Sequence, residues 1–337
     1  MINKSKKLVY RDGISFITAM SALIILWTHH SAYTVKIIYS IPQFLIDRTA
    51  PVIFALGAFV FISGFKLINS HLKTNLTDFF HSRFLRVIPL YYVSLLLFIL
   101  FMRNNITLPK LLIHLFGGQL IFPHLFKEML PTLWFIGLIF VYYILFIVMR
   151  SFIGNKPKFF FISFFLYGIL LLLDSCPYTA DKIIDSRVLL YFPYFILGIY
   201  FGKYHEATIN KFRNLVTLYL LFFGSMILSN IYFYPPSKNF EILFHQFFHL
   251  PLNIILLLVT LRVKFTGKIK DLIFSLSFAS FSIYLFHRPI WYAMNLIYHK
   301  PTPYQHLYIF FIGIPTIFIV SYIIQRSYNG LLKIVMS

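Results

Sequence analysis

The sequence predicts an all-α protein, a polytopic transmembrane bundle of about ten spanning helices with both termini cytoplasmic. Three observations carry this. Charged residues make up 12% of the chain, about half the roughly 25% of a soluble globular domain. The mean hydropathy is +0.79, and the apolar residues fall in runs near 20 long, the length that spans about 30 Å of hydrocarbon. A soluble core cannot bury so many such runs, and no polar stretch is long enough for a second folded domain. The whole of 1–337 therefore reads as one integral-membrane domain.

The first ten residues, MINKSKKLVY, are basic, and the apolar run behind them has no small-residue cleavage site. That pattern is a retained first helix rather than a signal peptide. The expected spans are 14–33, 51–69, 87–103, 131–149, 158–175, 188–204, 213–234, 243–262, 273–296 and 305–326. An eleventh apolar stretch, 111–126, holds Gly117, Gly118 and Pro123 and is short for a crossing.

Lysine and arginine are retained in cytoplasmic loops. With the N-terminus inside and 111–126 not crossing, 20 of the 30 basic residues lie inside. Four of the ten acidic residues join them, so the inner face carries about +16 and the outer face about +4. Were 111–126 to cross, the basic loops 150–158, 203–213 and 262–271 would all turn outward. The formal charge of +20 is thus a topology signal, and nucleic acid is not an expected partner. The stretch 71–86, HLKTNLTDFFHSRFLR, reads as a basic interfacial helix against anionic lipid headgroups.

Ionisable groups at membrane depth are costly and mark candidate sites. His29 and His30 stand at the outer end of the first helix. His287 and Arg288 lie about 14 residues, or about 21 Å, into the ninth, at a depth similar to His29. The bland alternatives are interfacial histidines facing water and an Arg288 that snorkels to headgroups. Arg83 and Arg86 enter the third span from the cytoplasm, three apart on one helix face, where they can grip phosphate bidentately or simply flank a span. Nine of the 12 histidines fall on the outer side, but no spacing among them matches a metal motif, and no metal is expected. Cys176 is the sole cysteine, so no intrachain disulfide forms.

Five short motifs in order resemble the acyltransferase 3 family of membrane O-acyltransferases. RDGISFITAMSALIILWTHH (11–30) is similar to the family's opening Asp-Gly, apolar helix and histidine. FVFISGF (59–65) resembles its aromatic stretch ending Ser-Gly-Phe, and SRFLRVIPLYY (82–92) its Arg-x-x-Arg before Pro-Leu-Tyr. LWFIGLIFVYY (133–143) and FSIYLFHRPI (281–290) resemble its Leu-Trp-Phe helix and late Ser-x-Tyr-Leu-x-His-x-Pro. The chain departs from the pattern at Ser15, where the family usually has Arg, and at Ile139, where many members have Glu.

The resemblance implies a multi-pass cell-membrane enzyme moving an acyl group, most often acetyl from acetyl-CoA, to a hydroxyl of a cell-surface glycan or lipid-linked sugar. Acyl-CoA is then a co-substrate, with no permanently bound cofactor. Arg83, Arg86 and Lys66 would form a basic cytoplasmic mouth for the anionic donor. His29 would be the general base, with His30 its alternative, and Arg288 or His287 would stabilise the thioester oxyanion. A covalent acyl-histidine relay stays open. The rival readings are a transporter or exporter of surface polysaccharide or lipid-linked sugar, and a non-catalytic subunit of a glycan-synthesis complex.

Overall fold

The computed structural model describes residues 4–33, 49–71, 75–102, 106–121, 123, 130, 132–175, 183–211, 250–251, 254, 260, 264–299 and 303–336. The expected span 213–234 and nearly all of 243–262 lie outside the described residues. Helices α1 (Lys4–His29), α2 (Thr49–His71), α3 (Leu76–Met102), α4 (Leu108–Leu115), α5 (Trp134–Arg150), α6 (Lys156–Asp174), α7 (Ser186–Lys211) and α8 (Gly267–Ile297) are followed by α9 (Pro303–Leu307), a π-helical turn at Tyr308–Ile312 and α10 (Gly313–Met336). Among the described residues there is no strand, only an isolated bridge between Ile121 and Ile184. Six helical stretches among the described residues are long and apolar enough to cross a membrane: Asp12–His29, Pro51–Ile68, Leu76–Phe101, Lys156–Asp174, Gly267–Ile297 and Tyr304–Ile334. Trp134–Arg150 is apolar but shorter. Helix α7, over the expected span 188–204, is rich in tyrosine, and its surface is mostly covered by protein, so it needs less apolar character.

The basic stretch before the third span is not a separate interfacial helix. Asn75 accepts from the backbone N–H of Asp78 at 2.7 Å, an N-cap, and the helix then runs unbroken to Met102 with Pro89 inside it. Residues 76–86 are its first three turns. Among its described residues, the stretch at 111–126 contributes the end of α4, a helix eight residues long and so about 12 Å. Gly117 follows at φ +67°, a left-handed conformation that glycine adopts without a Cβ penalty.

The chain forms two compact units. The first comprises residues 1–55, 75–107 and 260–337. Here α8 packs against α1, α3 and α10. Asp12 pairs with Lys270 and His29 with His287, so α1 and α8 run parallel. Ser282 Oγ donates to Gln325 Oε1 at 2.7 Å and Trp291 Nε1 to the Ile309 carbonyl at 3.2 Å, which makes α10 antiparallel to α8. Ser94 Oγ donates to the Leu285 carbonyl at 2.8 Å and Tyr328 OH to that of Leu85, so α3 follows the direction of α8. Lipid tails give apolar helices little reason to associate, so such polar cross-links and close packing carry the assembly.

The second unit, 56–74 and 108–259, is built on glycine. A Cβ on Gly198 would lie 2.2 Å from the Phe61 carbonyl oxygen, and one on Gly64 would lie 2.6 Å from that of Phe195. Backbones of α2 and α7 touch there, with Gly198 and Gly202 four apart on one face, the small-xxx-small pattern of close helix pairs. Tyr142 of α5 stacks on Phe195 at 4.8 Å and donates its hydroxyl to the Val188 carbonyl at 2.8 Å. Phe161, Phe164 and Leu172 of α6 are exposed, an apolar face suited to lipid.

Candidate active site

His29 is the last residue of α1, and the chain then tightens into a 3₁₀ turn at His30–Ala32. Its Nδ1 lies 3.0 Å from Nε2 of His287. The rings are parallel within 4° with centroids 5.1 Å apart. That separation is close to the nitrogen–nitrogen distance plus one ring width, so the rings meet edge to edge in a common plane. This is an in-plane hydrogen bond, not a stack.

His287 is wholly buried. Its Nδ1 faces two backbone carbonyls, Ile283 at 3.0 Å and Tyr284 at 2.9 Å. Two acceptors require a proton on Nδ1, so in neutral His287 the lone pair is on Nε2. Nε2 therefore accepts the bond from His29 Nδ1–H. Neutral His29 then carries its own lone pair on Nε2, the atom turned away from the dyad. Two carbonyls thus set the tautomers of both rings, the service that an orienting group performs for a catalytic base.

The wall around His287 is aromatic. Trp291 presents its edge at 5.6 Å and 89°, and Tyr284 lies at 6.3 Å. Trp291 is held from α8 by its bond to the Ile309 carbonyl, beside Gly313, where a Cβ would lie 2.7 Å from the indole nitrogen. Tyr33 packs on Trp291 at 5.7 Å, and Gln305 ties the Tyr33 carbonyl to Asn295 with bonds of 3.2 and 2.7 Å. The Arg288 guanidinium donates to the Tyr33 phenol oxygen. Arg288 Nε is buried with no hydrogen-bond partner among the described residues.

His30 is turned elsewhere. Its Nδ1 donates to the Trp27 carbonyl of its own helix, and its ring meets the edge of Phe310 at 5.5 Å. Arg83 and Arg86 occupy the third turn of α3. Arg83 is half-buried with its guanidinium 5.9 Å from the Phe79 ring, while Arg86 is exposed. Lys66, exposed on α2, belongs to the second unit. The structure therefore brings His29, His287 and Arg288 to one place and leaves His30 outside the dyad. The expected oxyanion role of His287 does not fit, because both its nitrogens are already engaged.

A family model described as an acyltransferase domain matches residues 12–326, nearly the whole chain. The chain belongs to the acyltransferase 3 family. Acyl transfer is the chemistry of that family, and its span count and apolar helices make this member a multi-pass membrane protein. No curated protein and no solved structure matches the chain significantly. The matched region begins at Asp12, which is 3% exposed and bonded through Oδ2 to Lys270 Nζ at 3.0 Å. Lys270 carried no signal in the sequence beyond being one of several basic loop residues. Tyr33 and Trp291 were likewise indistinguishable from the abundant aromatics of the chain.

Proposed function

We propose that this acyltransferase 3 member moves an acyl group, acetyl from acetyl-CoA, to a hydroxyl of a cell-surface polysaccharide or lipid-linked sugar, with His29 as general base. The observation that carries the reading is the His29–His287 bond, because it leaves a base at His29 Nε2. The acceptor hydroxyl gives its proton to Nε2 as its oxygen bonds to the thioester carbonyl carbon. His287 Nε2 accepts from Nδ1–H throughout and stabilises the imidazolium. As the tetrahedral intermediate collapses, the carbon–sulfur bond breaks and the imidazolium returns the proton to the leaving thiolate. The products are the O-acyl ester and free CoA thiol. Arg288 Nε–H is a buried donor beside the dyad and suits the oxyanion.

Donor reach supports an acyl-CoA bound by Arg83 and Arg86. From Arg86 up α3 to Ser94, level with Leu285, and on to His287 is ten residues of helix, about 15 Å. The pantetheine arm from pyrophosphate to sulfur has about thirteen bonds and extends about 15 Å at roughly 1.2 Å per bond. Phosphates on the arginines therefore allow the thioester to meet the dyad without a covalent acyl-histidine relay.

We also retain ten spans with both termini inside. Parallel α1 and α8 require an odd number of crossings between them. The seven expected spans between 51 and 262 meet this, and an added crossing at 111–126 would not. Family membership gives the export reading no support. The test is to incubate the purified protein in liposomes with acetyl-CoA and the surface glycan. Thiol release matched by a glycan mass gain of one acetyl group is expected. Glycan movement across the liposome wall without thiol release would reject the enzyme reading.

A further inference from the structure

The two parallel helices of the dyad are joined at a second level. Asp12 and Lys270 are 258 positions apart, and so are His29 and His287. The pairs are therefore separated by seventeen residues on both helices, about 26 Å, and α1 lies against α8 without slip between them. Asp12 is almost wholly buried, and its Oδ1 has no partner among the described residues. Lys270 covers it from α8 with its ammonium 5.6 Å from the Phe274 ring. Phe16, one turn along α1, stacks at 5.1 Å on Phe265, which precedes α8.

Between the two levels the buried positions include Ala19, Ser21 and Ala22 on α1 and Ala279, Ser280 and Ser282 on α8. These small side chains permit close approach, and the larger buried ones, Ile17, Ile25, Ile273 and Ile283 among them, add apolar packing without a polar tie between the levels. Hydrocarbon adds no hydrophobic force to hold one apolar helix on another. The dyad tolerates little movement, since a slip of one residue shifts a ring by about 1.5 Å and turns it by about 100°. Either displacement breaks a 3.0 Å in-plane bond.

We infer that the Asp12–Lys270 ion pair is a positioning device for the reaction, holding α1 in register with α8 so that His29 Nδ1 stays on His287 Nε2. The inference rests on the dyad being the catalytic base. Neither residue touches the reacting atoms. A misplacement of about 1 Å in a catalytic group costs on the order of 100-fold, so a remote tie of this kind acts on turnover rather than on donor binding.

The test compares Asp12→Asn, Lys270→Met and the exchanged pair Asp12→Lys with Lys270→Asp, each purified as full-length folded protein. The single variants are expected to lower kcat about 10- to 100-fold with KM for acetyl-CoA unchanged, and the exchange to restore most of it. A second readout needs no turnover. Cysteines at positions 29 and 287, in a Cys176→Ser background, are joined by a short bis-methanethiosulfonate reagent, and Asp12→Asn should lower the yield. Wild-type kcat in the single variants overturns the inference, and so does a raised KM at constant kcat, which would make Lys270 a donor-phosphate ligand. If His29→Ala itself transfers acetyl at the wild-type rate, the dyad reading fails. The cross-linking yield still decides whether Asp12 and Lys270 set the register.

Discussion

His29 and His287 share an in-plane hydrogen bond of 3.0 Å, and the far nitrogen of His287 is held by the carbonyls of Ile283 and Tyr284 at 3.0 and 2.9 Å. This arrangement ranks the histidines. His29 gives its Nδ1–H to the dyad, His287 is the inner ring, and His30 is bound to its own helix at Trp27.

The first prediction follows from that ranking. His29→Ala should cut acyl transfer by about 100-fold or more, the usual worth of a general base. That is about 3 kcal/mol of barrier. Acyl-CoA binding should stay near wild type. His30→Ala should cost less than about tenfold, since His30 lies outside the dyad and bonds to the Trp27 carbonyl of its own helix. Equal losses in the two variants, by thiol release, would contradict the ranking.

His287→Ala removes the acceptor that orients His29 Nδ1–H. Loss of such an orienting partner typically costs about 10- to 100-fold, and we expect that fall in kcat with KM for acyl-CoA unchanged. Steady-state kinetics in liposomes separate the two constants. A rise in KM alone would move His287 from orientation to donor binding.

Arg86→Lys keeps the charge but loses the planar fork that grips phosphate in two places. KM for acyl-CoA should rise several-fold while the amount of folded protein in the membrane is unchanged. Should Arg83→Ala and Arg86→Ala both bind acyl-CoA as the wild type does, by calorimetry, the arginines serve topology only.

A single cysteine at Lys268, in a Cys176→Ser background, should react with impermeant thiol reagents only from the cytoplasmic side. Cysteines in 34–48 or 297–304 should react only from outside. Outside labelling at 268 would end the ten-span arrangement.

His114 gives a pH dependence to the second unit. It is buried, and burial lowers its pKa from 6.5 to about 4. Its Nδ1 also accepts from Gln119 Nε2 at 2.9 Å, so protonation there would set donor against donor. A depressed histidine pKa means that the unfolded chain binds the proton more readily. The stability His114 allows is complete above about pH 6.5 and is lost as pH falls toward about 4, up to about 3 kcal/mol. Thermal melting of the detergent-solubilised protein should decline over that window. His114→Gln should flatten the decline, and an unchanged slope in that variant would sink the assignment.

Much of the helical fold was legible because spanning a bilayer demands long apolar runs, and such runs are visible in one dimension. The third span was misread at its start: basic residues suggested a surface helix, yet nothing between Asn75 and Pro89 breaks the turn. The candidate histidines were legible too, as costly groups at matching depth. Their bond was not, because it depends on which face of α1 meets which face of α8 across 258 positions. The same holds for Lys270, whose meaning comes from the buried Asp12 beside it, and for Gly198, whose meaning comes from the backbone of Phe61.

The two carbonyls behind His287 also bear on the energetics of the membrane. A chain of histidines at depth is a common route for proton leakage, but a peptide carbonyl cannot accept a proton and pass it on. The hydrogen-bonded path from His29 therefore ends at His287 Nδ1 as a blind terminus. In the proposed transfer, a proton taken at His29 passes to the leaving thiolate and not onward through His287. Transfer by this dyad is electroneutral, one hydroxyl proton exchanged for one acyl group, and the protein can hold imidazoles within the bilayer without short-circuiting the gradient across it.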